Sequence, residues 1–299
     1  MHIAIIGASG LVGREIHNQL IKRNFVFSKI SLFGRVARDE ILSLDSIHWH
    51  DIDLAFFAAG SSVSKNHVPQ ALAAGCRVID SSSYFRSSAP LIIPEINGHL
   101  IKGAQLIASP NCTASIALMA LYPLHVHCPI QRIVASTYQA ASGGGHKMMQ
   151  AFLDNPLEFP LHLHDSFDGH DYSGEERKMS DEIRLILNAP GLPISARCVR
   201  VPVLRAHSIA LNVEFEKPIA DPKTLLESAP GLQLVEKPTP KDATGYDDVF
   251  CGSIRQDPSH PNCLELWVVG DQLLKGAALN AVQIAEQFSV EKKVQKILA

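Results

Sequence analysis

The chain opens with a short apolar strand that runs directly into a glycine-rich turn and a helical pattern, and this opening constrains its fold most. Residues 2–6 read HIAII, and residues 7–13 read GASGLVG. Glycines in such a turn let the backbone approach a pyrophosphate at the positive N-terminus of the helix. The glycines of this turn are Gly7, Gly10 and Gly13. The pattern predicts a dinucleotide-binding turn, and a tight strand-to-helix turn without a ligand is the alternative.

Apolar runs alternate with helical patterns through the first third of the chain. The strand-like runs lie at 30–33, 54–58, 76–80 and 106–108, with a clear helical pattern at 65–74. This alternation is typical of a parallel sheet with crossover helices. We therefore predict an α/β fold whose N-terminal, Rossmann-like dinucleotide-binding domain covers residues 1–112.

Longer strand-like runs follow from about residue 129, which predicts a second domain. They lie at 132–138, 197–203, 208–215, 249–255 and 264–269. A chain of 299 residues has room for two cores, because a single core stops growing at roughly 250 to 300 residues. We predict an α+β catalytic and dimerisation domain over 113–273, built on a mixed or antiparallel sheet. A C-terminal helix at 276–288 is expected to return to the first domain, which residues 274–299 complete.

Composition argues against several classes of protein. The net charge of -3 and the 19% of charged residues give no bulk electrostatic reason to bind nucleic acid. The N-terminus lacks the features of a signal peptide, and no apolar run approaches the ~20 residues of a membrane helix. We therefore expect a cytoplasmic protein with neither nucleic acid nor membrane as a partner.

Cysteine and histidine spacing predicts no metal site. The 6 cysteines include no CxxC pair, so they are expected to be reduced and mostly buried. Three pairs of histidines have a spacing that a strand could turn into a metal pair: His48 and His50, His125 and His127, His162 and His164. No carboxylate-rich motif accompanies them, so we expect no bound metal.

The region after the second predicted strand bears on the choice of dinucleotide. It lacks the acidic residue that commonly binds a ribose hydroxyl, and it contains Gly34, Arg35 and Arg38 instead. Arginine there suits the 2′-phosphate of NADP. Two solvated loop cations are the alternative interpretation.

Cys112 lies at the start of a predicted helix over 114–121, within the segment Ser109-Pro110-Asn111-Cys112-Thr113. The helix dipole and free backbone amides of a first turn stabilise a thiolate. A buried structural cysteine is the alternative, and this residue alone does not decide between the two.

Seven blocks of sequence, spread over nearly the whole chain, carry a family resemblance. They are SPNCTAS at 109–115, TYQAASGGG at 137–145, SGEERKM at 173–179, RVPVLRAHS at 200–208, DSSSYFR at 80–86, LIIPEIN at 91–97 and GDQLLKGAALNAVQIAE at 270–286. They occur along the chain in the family's order and resemble the signature blocks of aspartate-semialdehyde dehydrogenases. The resemblance implies the NADP-dependent interconversion of L-aspartate 4-semialdehyde plus inorganic phosphate and L-aspartyl-4-phosphate. This reaction serves the biosynthesis of lysine, threonine, methionine and diaminopimelate.

The resemblance also implies the catalytic residues. Cys112 would attack the aldehyde carbon, His207 would act as acid and base, and Gln139 would orient the thioacyl intermediate. Hydride transfer to the nicotinamide would leave a thioester, which phosphate then cleaves. A thiolate is a good nucleophile and leaving group, and an imidazole with a pKa of about 6.5 can move a proton in either direction. For Gln139, a hydrogen bond at a strand end is the alternative role.

The same resemblance implies a set of binding residues. Arg200 would bind the substrate α-carboxylate with both arms of its guanidinium, and Glu175 would meet the α-ammonium. Arg86 and Lys178 would hold phosphate, supported by Asn111. A solvated helix face is the alternative for Glu175, Glu176 and Lys178. The glycine turn and the loop after the second strand predict cofactor contacts at Gly7, Ser9, Gly10, Leu11, Val12, Gly13, Arg35 and Arg38. The resemblance adds Ser142, Gly143 and, at the nicotinamide amide, Gln272.

The resemblance implies a homodimer or homotetramer, and it leaves two alternatives open. The chain is a few tens of residues shorter than the family norm, with the deficit between Gly145 and Glu175 and around residues 35–50. A shortened, catalytically impaired paralogue that binds or interacts is one alternative, although Cys112, Gln139, Arg200 and His207 are all retained. An N-acetyl-glutamyl-phosphate reductase is the other, but its nucleophile normally follows glycine, whereas Cys112 follows asparagine.

Overall fold

The computed structural model describes residues 1–164 and 171–298 and divides the chain into two compact units. One unit is Met1–Pro110 together with the C-terminal residues from Ala277, and the other is Asn111–Gly276. The predicted boundaries, after residues 112 and 273, differ from these by two and three residues. No helix among the described residues is long and apolar enough to cross a membrane.

The first unit is built on six parallel strands in the order β3-β2-β1-β4-β5-β6. Its strands are β1 (His2–Ile6), β2 (Lys29–Gly34), β3 (Ile41–Ser43), β4 (Leu54–Phe57), β5 (Arg77–Asp80) and β6 (Leu106–Ala108). Its helices are α1 (Leu11–Lys22), α2 (Ser61–Ala73), α3 (Pro94–Asn97) and α9 (Leu279–Leu298). This is the strand order of a Rossmann fold, and it confirms the predicted class.

Alternating side chains of β1 explain why both faces of this sheet are covered. Ile3 and Ile5 pack with α1 and α9 in one core, whereas Ala4 and Ile6 pack with α2 in another. Successive strand residues point to opposite faces, so a strand that is apolar throughout needs a cover on each side. The return of the C-terminal helix was predicted, but α9 begins only after a turn of π-helix at Leu274–Ala278.

The second unit is built on a mixed sheet of seven strands in the order β11-β12-β13-β10-β7-β9-β8. Its strands are β7 (Ile130–Gln139), β8 (His162–Leu163), β9 (Ile194–Arg200), β10 (His207–Phe215), β11 (Leu232–Leu234), β12 (Val249–Gln256) and β13 (Cys263–Gly270). Its helices are α4 (Cys112–His127), α5 (Gly145–Asp154), α6 (Gly174–Ile186), α7 (Pro222–Glu227) and α8 (Pro240–Ala243). The mixed sheet agrees with the sequence-based prediction.

Three local predictions for this unit need correction. α4 continues past the predicted end at Leu121 and through Pro123. β9 ends at Arg200, not at residue 203, because Pro202 has no N–H for a sheet hydrogen bond. The loop predicted over 154–173 contains β8, and its residues 165–170 lie outside the described part of the chain.

Candidate active site

The glycine turn between β1 and α1 is as tight as the sequence predicted. Gly7 has a φ of +91°, and a Cβ there would lie 2.7 Å from the Ala58 carbonyl carbon. A Cβ on Gly13 would lie 2.2 Å from the Gly7 carbonyl oxygen. Side chains at these two positions are therefore incompatible with the turn.

The N-terminus of α1 is suited to an anion. Gly10 occupies the cap position, no side chain among the described residues caps this end, and the first turn holds no acidic residue. Leu11 and Val12 are the first helical residues, so their amides point outward from an uncapped helix N-terminus. Ser9 is exposed beside them. The turn thus fits the phosphates of a dinucleotide, which is the fold's usual ligand.

Two arginines follow β2 in the same unit. Arg35 and Arg38 are exposed, and the Arg38 Nε lies 3.4 Å from an Asp39 carboxylate oxygen. Because β2 is parallel to β1 and ends at Gly34, these cations follow the same edge of the sheet as the glycine turn. Their position is compatible with either predicted role, a cofactor phosphate or solvated loop cations.

Arg86 is oriented by the carboxyl ends of β5 and β6. Its Nε donates to the Ser109 carbonyl at 3.1 Å, and its Nη2 donates to the Ser81 carbonyl at 3.1 Å. Two backbone carbonyls thus fix the plane of the guanidinium.

Cys112 is the first residue of α4 and the only one of the six cysteines, all of which are described, that is not buried. Asn111 caps the helix, since its side-chain oxygen accepts from the amides of Thr113 at 3.0 Å and Ala114 at 3.2 Å. The expectation of free amides in this turn is therefore wrong for these two residues. The helix dipole remains available to the thiolate, but its nearest amides are already satisfied.

Asn111 also lies between two carboxylates of α6. Its backbone amide donates to Glu182 at 2.5 Å, and its Nδ2 donates to Glu175 at 2.7 Å. Lys178 is 3.7 Å from the other Glu175 oxygen, and its side chain is 44% exposed. Asn111, Glu175 and Lys178 therefore form one hydrogen-bonded and ionic network beside Cys112. Glu182 completes this network and was missed in the sequence.

Gln139, Arg200 and His207 lie together at one end of three neighbouring strands of the second sheet. Gln139 and Arg200 are partners at the ends of β7 and β9, and His207 begins β10 next to them. Gln139 is buried, and its Nε2 donates to the Thr137 hydroxyl at 3.2 Å. These residues are far apart in the sequence, so only the sheet register brings them together.

The Arg200 guanidinium is buried yet incompletely bonded. Its side chain donates to the Ala140 carbonyl at 2.5 Å, whereas its Nε has no hydrogen-bond partner among the described residues. Burial lowers the pKa of Arg200, and the charges of Cys112 and Glu175 act in the opposite direction. These Coulombic interactions place the cation within electrostatic range of the Cys112 thiol. A buried guanidinium with an unsatisfied donor is suited to an anionic ligand.

His207 is fully buried and held in one tautomer. Its Nδ1 accepts from the Ala140 amide at 3.0 Å, so the hydrogen of the neutral ring is on Nε2. That Nε2 has no partner in the described part of the chain. Burial, with Arg200 and His164 nearby, holds the pKa of His207 well below 6.5. This environment favours the neutral imidazole, whose Nε2–H is available as a donor.

Gly143 separates Arg200 from His207. A Cβ at this glycine would lie 2.8 Å from the Arg200 Nη1 and 2.8 Å from the His207 Cε1. Gly143 thus lies at the centre of the site, where the sequence predicted a cofactor-contacting turn.

The Gln272 side chain bonds to the loop that leads into His207. Its Oε1 accepts from the Ala206 amide at 2.8 Å, and its Nε2 donates to the Ser142 hydroxyl at 2.5 Å. The Ser142 hydroxyl in turn donates to the Leu204 carbonyl at 2.6 Å. Gln272 and Ser142, both predicted cofactor contacts, therefore hold the backbone just before His207.

His164 is a second residue near the site that the sequence analysis did not assign to it. The charges of Arg200 and Glu175 shift the pKa of His164, and His164 in turn lowers the pKa of His207. Its only signal in the sequence was the His162/His164 spacing. Among the side chains that the structure describes, those of residues 1–164 and 171–288, no three of His, Cys, Asp or Glu lie close enough to hold a metal ion.

Comparison with known proteins gives concordant results for both units. The family "Semialdehyde dehydrogenase, NAD binding domain" matches residues 2–104, and "Semialdehyde dehydrogenase, dimerisation domain" matches residues 121–275. An aspartate-semialdehyde dehydrogenase of a Synechocystis strain is 43% identical over 96% of this chain and 96% of its own. That alignment spans 326 positions, more than the 299 residues of the chain, so the relative has residues that this chain lacks.

Solved structures agree with the sequence comparison. The crystal structure of aspartate semialdehyde dehydrogenase II from Vibrio cholerae, complexed with ASA, superimposes with a TM-score of 0.91 and 32% identity. The match covers 96% of this chain and 98% of the Vibrio chain. With both units matched and this identity over nearly its full length, the chain belongs to the aspartate-semialdehyde dehydrogenase family.

Proposed function

We propose that this chain catalyses the NADP-dependent interconversion of L-aspartate 4-semialdehyde plus phosphate and L-aspartyl-4-phosphate. The observation that carries the proposal is Arg200, a buried cation with an unsatisfied Nε within electrostatic range of Cys112. An amino-acid aldehyde supplies the carboxylate for this guanidinium and the electrophilic carbon for the thiol. Full-length similarity to named aspartate-semialdehyde dehydrogenases supports the same reaction.

Cys112 is the proposed nucleophile. Its thiolate forms a C–S bond to the aldehyde carbon, and the carbonyl electron pair moves onto the oxygen. Loss of hydride from that carbon leaves a thioester. Attack of inorganic phosphate on the thioester carbon then breaks the C–S bond, releases the acyl phosphate and returns the thiolate.

His207 is the proposed hydrogen-bond donor to the oxygen that becomes negatively charged. Its Nε2–H is unpartnered and buried, and its Nδ1 is held by the Ala140 amide. A preorganised donor in a buried site stabilises an oxyanion without changing its own protonation state. We thus refine the acid and base role implied by the family to donation from a neutral imidazole. Gln139, at the adjacent strand end, would orient the thioacyl group.

The remaining binding residues are assigned by charge. Arg200 would take the α-carboxylate and Glu175 the α-ammonium, while Lys178, Arg86 and Asn111 would bind the phosphate. The glycine turn with Ser9, Leu11 and Val12 would hold the cofactor pyrophosphate, and Ser142, Gly143 and Gln272 would contact the nicotinamide. When bound, the nicotinamide accepts hydride from the carbon attached to Cys112. We favour NADP because Arg35 and Arg38 follow β2.

A steady-state assay with aspartate semialdehyde, phosphate and either NADP or NAD tests the function. We expect phosphate-dependent reduction of the cofactor, with the higher kcat/KM for NADP. Cys112→Ser should lose this activity entirely but still bind the cofactor. Cys263→Ser, which changes another free cysteine of the same unit, should remain active. No turnover with either cofactor would exclude the proposed reaction and favour a non-catalytic paralogue.

The assembly and location are also proposed. The family match over residues 121–275 is to a dimerisation domain, which supports a homodimer or homotetramer. Light scattering of the purified protein would measure the state directly. All six cysteines are free, which suits the reducing cytoplasm.

A further inference from the structure

Three of the buried side-chain nitrogen atoms without a hydrogen-bond partner among the described residues belong to Arg200, His207 and His164 of the second unit. Two of them, the Arg200 Nε and the His207 Nε2, have roles in the proposed reaction. The third is the Nε2 of His164, which that reaction does not use. Leaving a polar atom buried and unbonded costs free energy, so such atoms indicate where a ligand supplies the partner.

The sheet brings His164 close to Arg200. β8 pairs antiparallel with β9, with His162 opposite Arg200 and Leu163 opposite Val199. The His164 backbone amide continues this pairing and donates to the Cys198 carbonyl at 3.3 Å. His164 therefore lies two residues along the strand pair from Arg200.

Electrostatic interactions relate His164 to both charged groups of the substrate site. Burial and the charge of Arg200 lower the pKa of His164, and the charge of Glu175 raises it. The lowered pKa favours the neutral ring, which adds no charge between Arg200 and Glu175. A neutral ring can present an N–H to a carboxylate, which only accepts.

The spacing of His162 and His164 does not make the two side chains a metal-binding pair. His162 has its Nδ1 3.2 Å from the Pro160 carbonyl. It also lines a separate surface groove with residues of α5, among them Lys147 and Met148. The two histidines therefore have different surroundings.

We propose that His164 is a further substrate-binding residue, whose Nε2–H donates to the α-carboxylate that Arg200 holds. This assignment rests on the proposed function, because it takes an amino-acid aldehyde as the ligand. Arg200 supplies the charge, and His164 adds a donor on the β8 side of the same carboxylate. An aldehyde without the amino-acid head group gains nothing from His164.

Two substitutions at this position separate the hydrogen bond from packing. His164→Leu removes the donor, whereas His164→Gln keeps an amide N–H at about the reach of Nε2. We expect His164→Leu to raise the KM for aspartate semialdehyde about tenfold or more with little change in kcat, as for loss of a bond to a charged group. His164→Gln should recover most of the loss. His260→Gln, the control at a partly exposed histidine outside this strand pair, should behave like the wild type.

Two further measurements make the outcome decisive. Turnover of butanal, which lacks both head-group charges, should be the same in His164→Leu and the wild type. Titration calorimetry of aspartate semialdehyde into Cys112→Ser protein, with and without His164→Leu, measures binding without chemistry. Weaker binding in the double variant would support His164 even if the wild type showed no turnover. The assignment would be overturned if His164→Leu had the same KM and the same Kd for aspartate semialdehyde as the protein with His164. It would also be overturned if His164→Leu lost as much activity with butanal as with aspartate semialdehyde.

Discussion

Adding a single methyl group to Gly143 should strongly disturb the site. A Cβ there would lie 2.8 Å from both the Arg200 Nη1 and the His207 Cε1, closer than such contacts occur. Both side chains are buried, so each must shift by a few tenths of an ångström. We expect Gly143→Ala to lower kcat/KM for aspartate semialdehyde at least tenfold, because small displacements of reacting groups are costly.

The control for this substitution is Gly191→Ala in the same unit. A Cβ at Gly191 would meet no atom within 4 Å. Both variants should unfold within a few degrees of the wild type, and only Gly143→Ala should lose activity. Full activity of Gly143→Ala would show that Arg200 and His207 are not held as closely as the structure indicates.

The residues of the candidate site divide into those that motifs predict and those that only packing reveals. Cys112, Gln139 and Arg200 lie in sequence blocks that resemble the family's signature blocks, and this resemblance predicts their roles. Glu182 and His164 do not, because their relevance depends on one backbone amide and on an edge strand of only two residues. The pKa of His207 was likewise unpredictable, since it depends on complete burial beside a cation.

At the scale of the element, the N-terminus of α4 controls the reactivity of Cys112 through its cap. Asn111→Asp would keep the oxygen that accepts from Thr113 and Ala114, so the helix should still be capped. It would place a carboxylate between Glu175 and Glu182, and the added negative charge disfavours the thiolate. We expect Cys112 to react with iodoacetamide several-fold more slowly near neutral pH.

The alkylation experiment is selective because the other five cysteines are buried. Burial raises the thiol pKa of Cys76, Cys198 and Cys251 to about 12. Asp221→Asn, the reverse exchange at the cap of α7, should leave the rate of Cys112 alkylation unchanged. An unchanged or faster rate in folded Asn111→Asp would mean that the charge at the cap does not act on Cys112.

Element boundaries were harder to predict than element types. The apolar runs predicted most long strands, because their side chains fill the two cores and the inner face of the mixed sheet. In α4 every residue from Thr113 to Leu121 is buried, and so is Leu124 beyond the predicted end. Packing of that kind offsets the hydrogen bond that Pro123 cannot donate, and a sequence pattern does not include it.

At the scale of the whole molecule, acid should weaken the two units unequally. The three histidines with lowered pKa values are His125, His164 and His207, and all lie in Asn111–Gly276. Below pH 6.5 the unfolded chain binds protons at these positions that the folded unit does not. The free energy of unfolding therefore falls as the pH drops below 6.5, and the fully buried His207 contributes to this loss.

Each unit has its own tryptophan to report this difference. Trp49 stacks on Phe57 in the first unit, and Trp267 packs near Tyr138 in the second. Urea unfolding of the full chain would be followed by fluorescence. The Trp49→Phe variant leaves Trp267 to report the second unit, and the Trp267→Phe variant leaves Trp49 to report the first. Between about pH 7.5 and 5.5, we expect the larger loss of stability in the transition that Trp267 reports. His207→Gln should reduce that loss, since glutamine does not titrate. A loss of equal size with glutamine at this position would mean that His207 does not couple proton binding to unfolding.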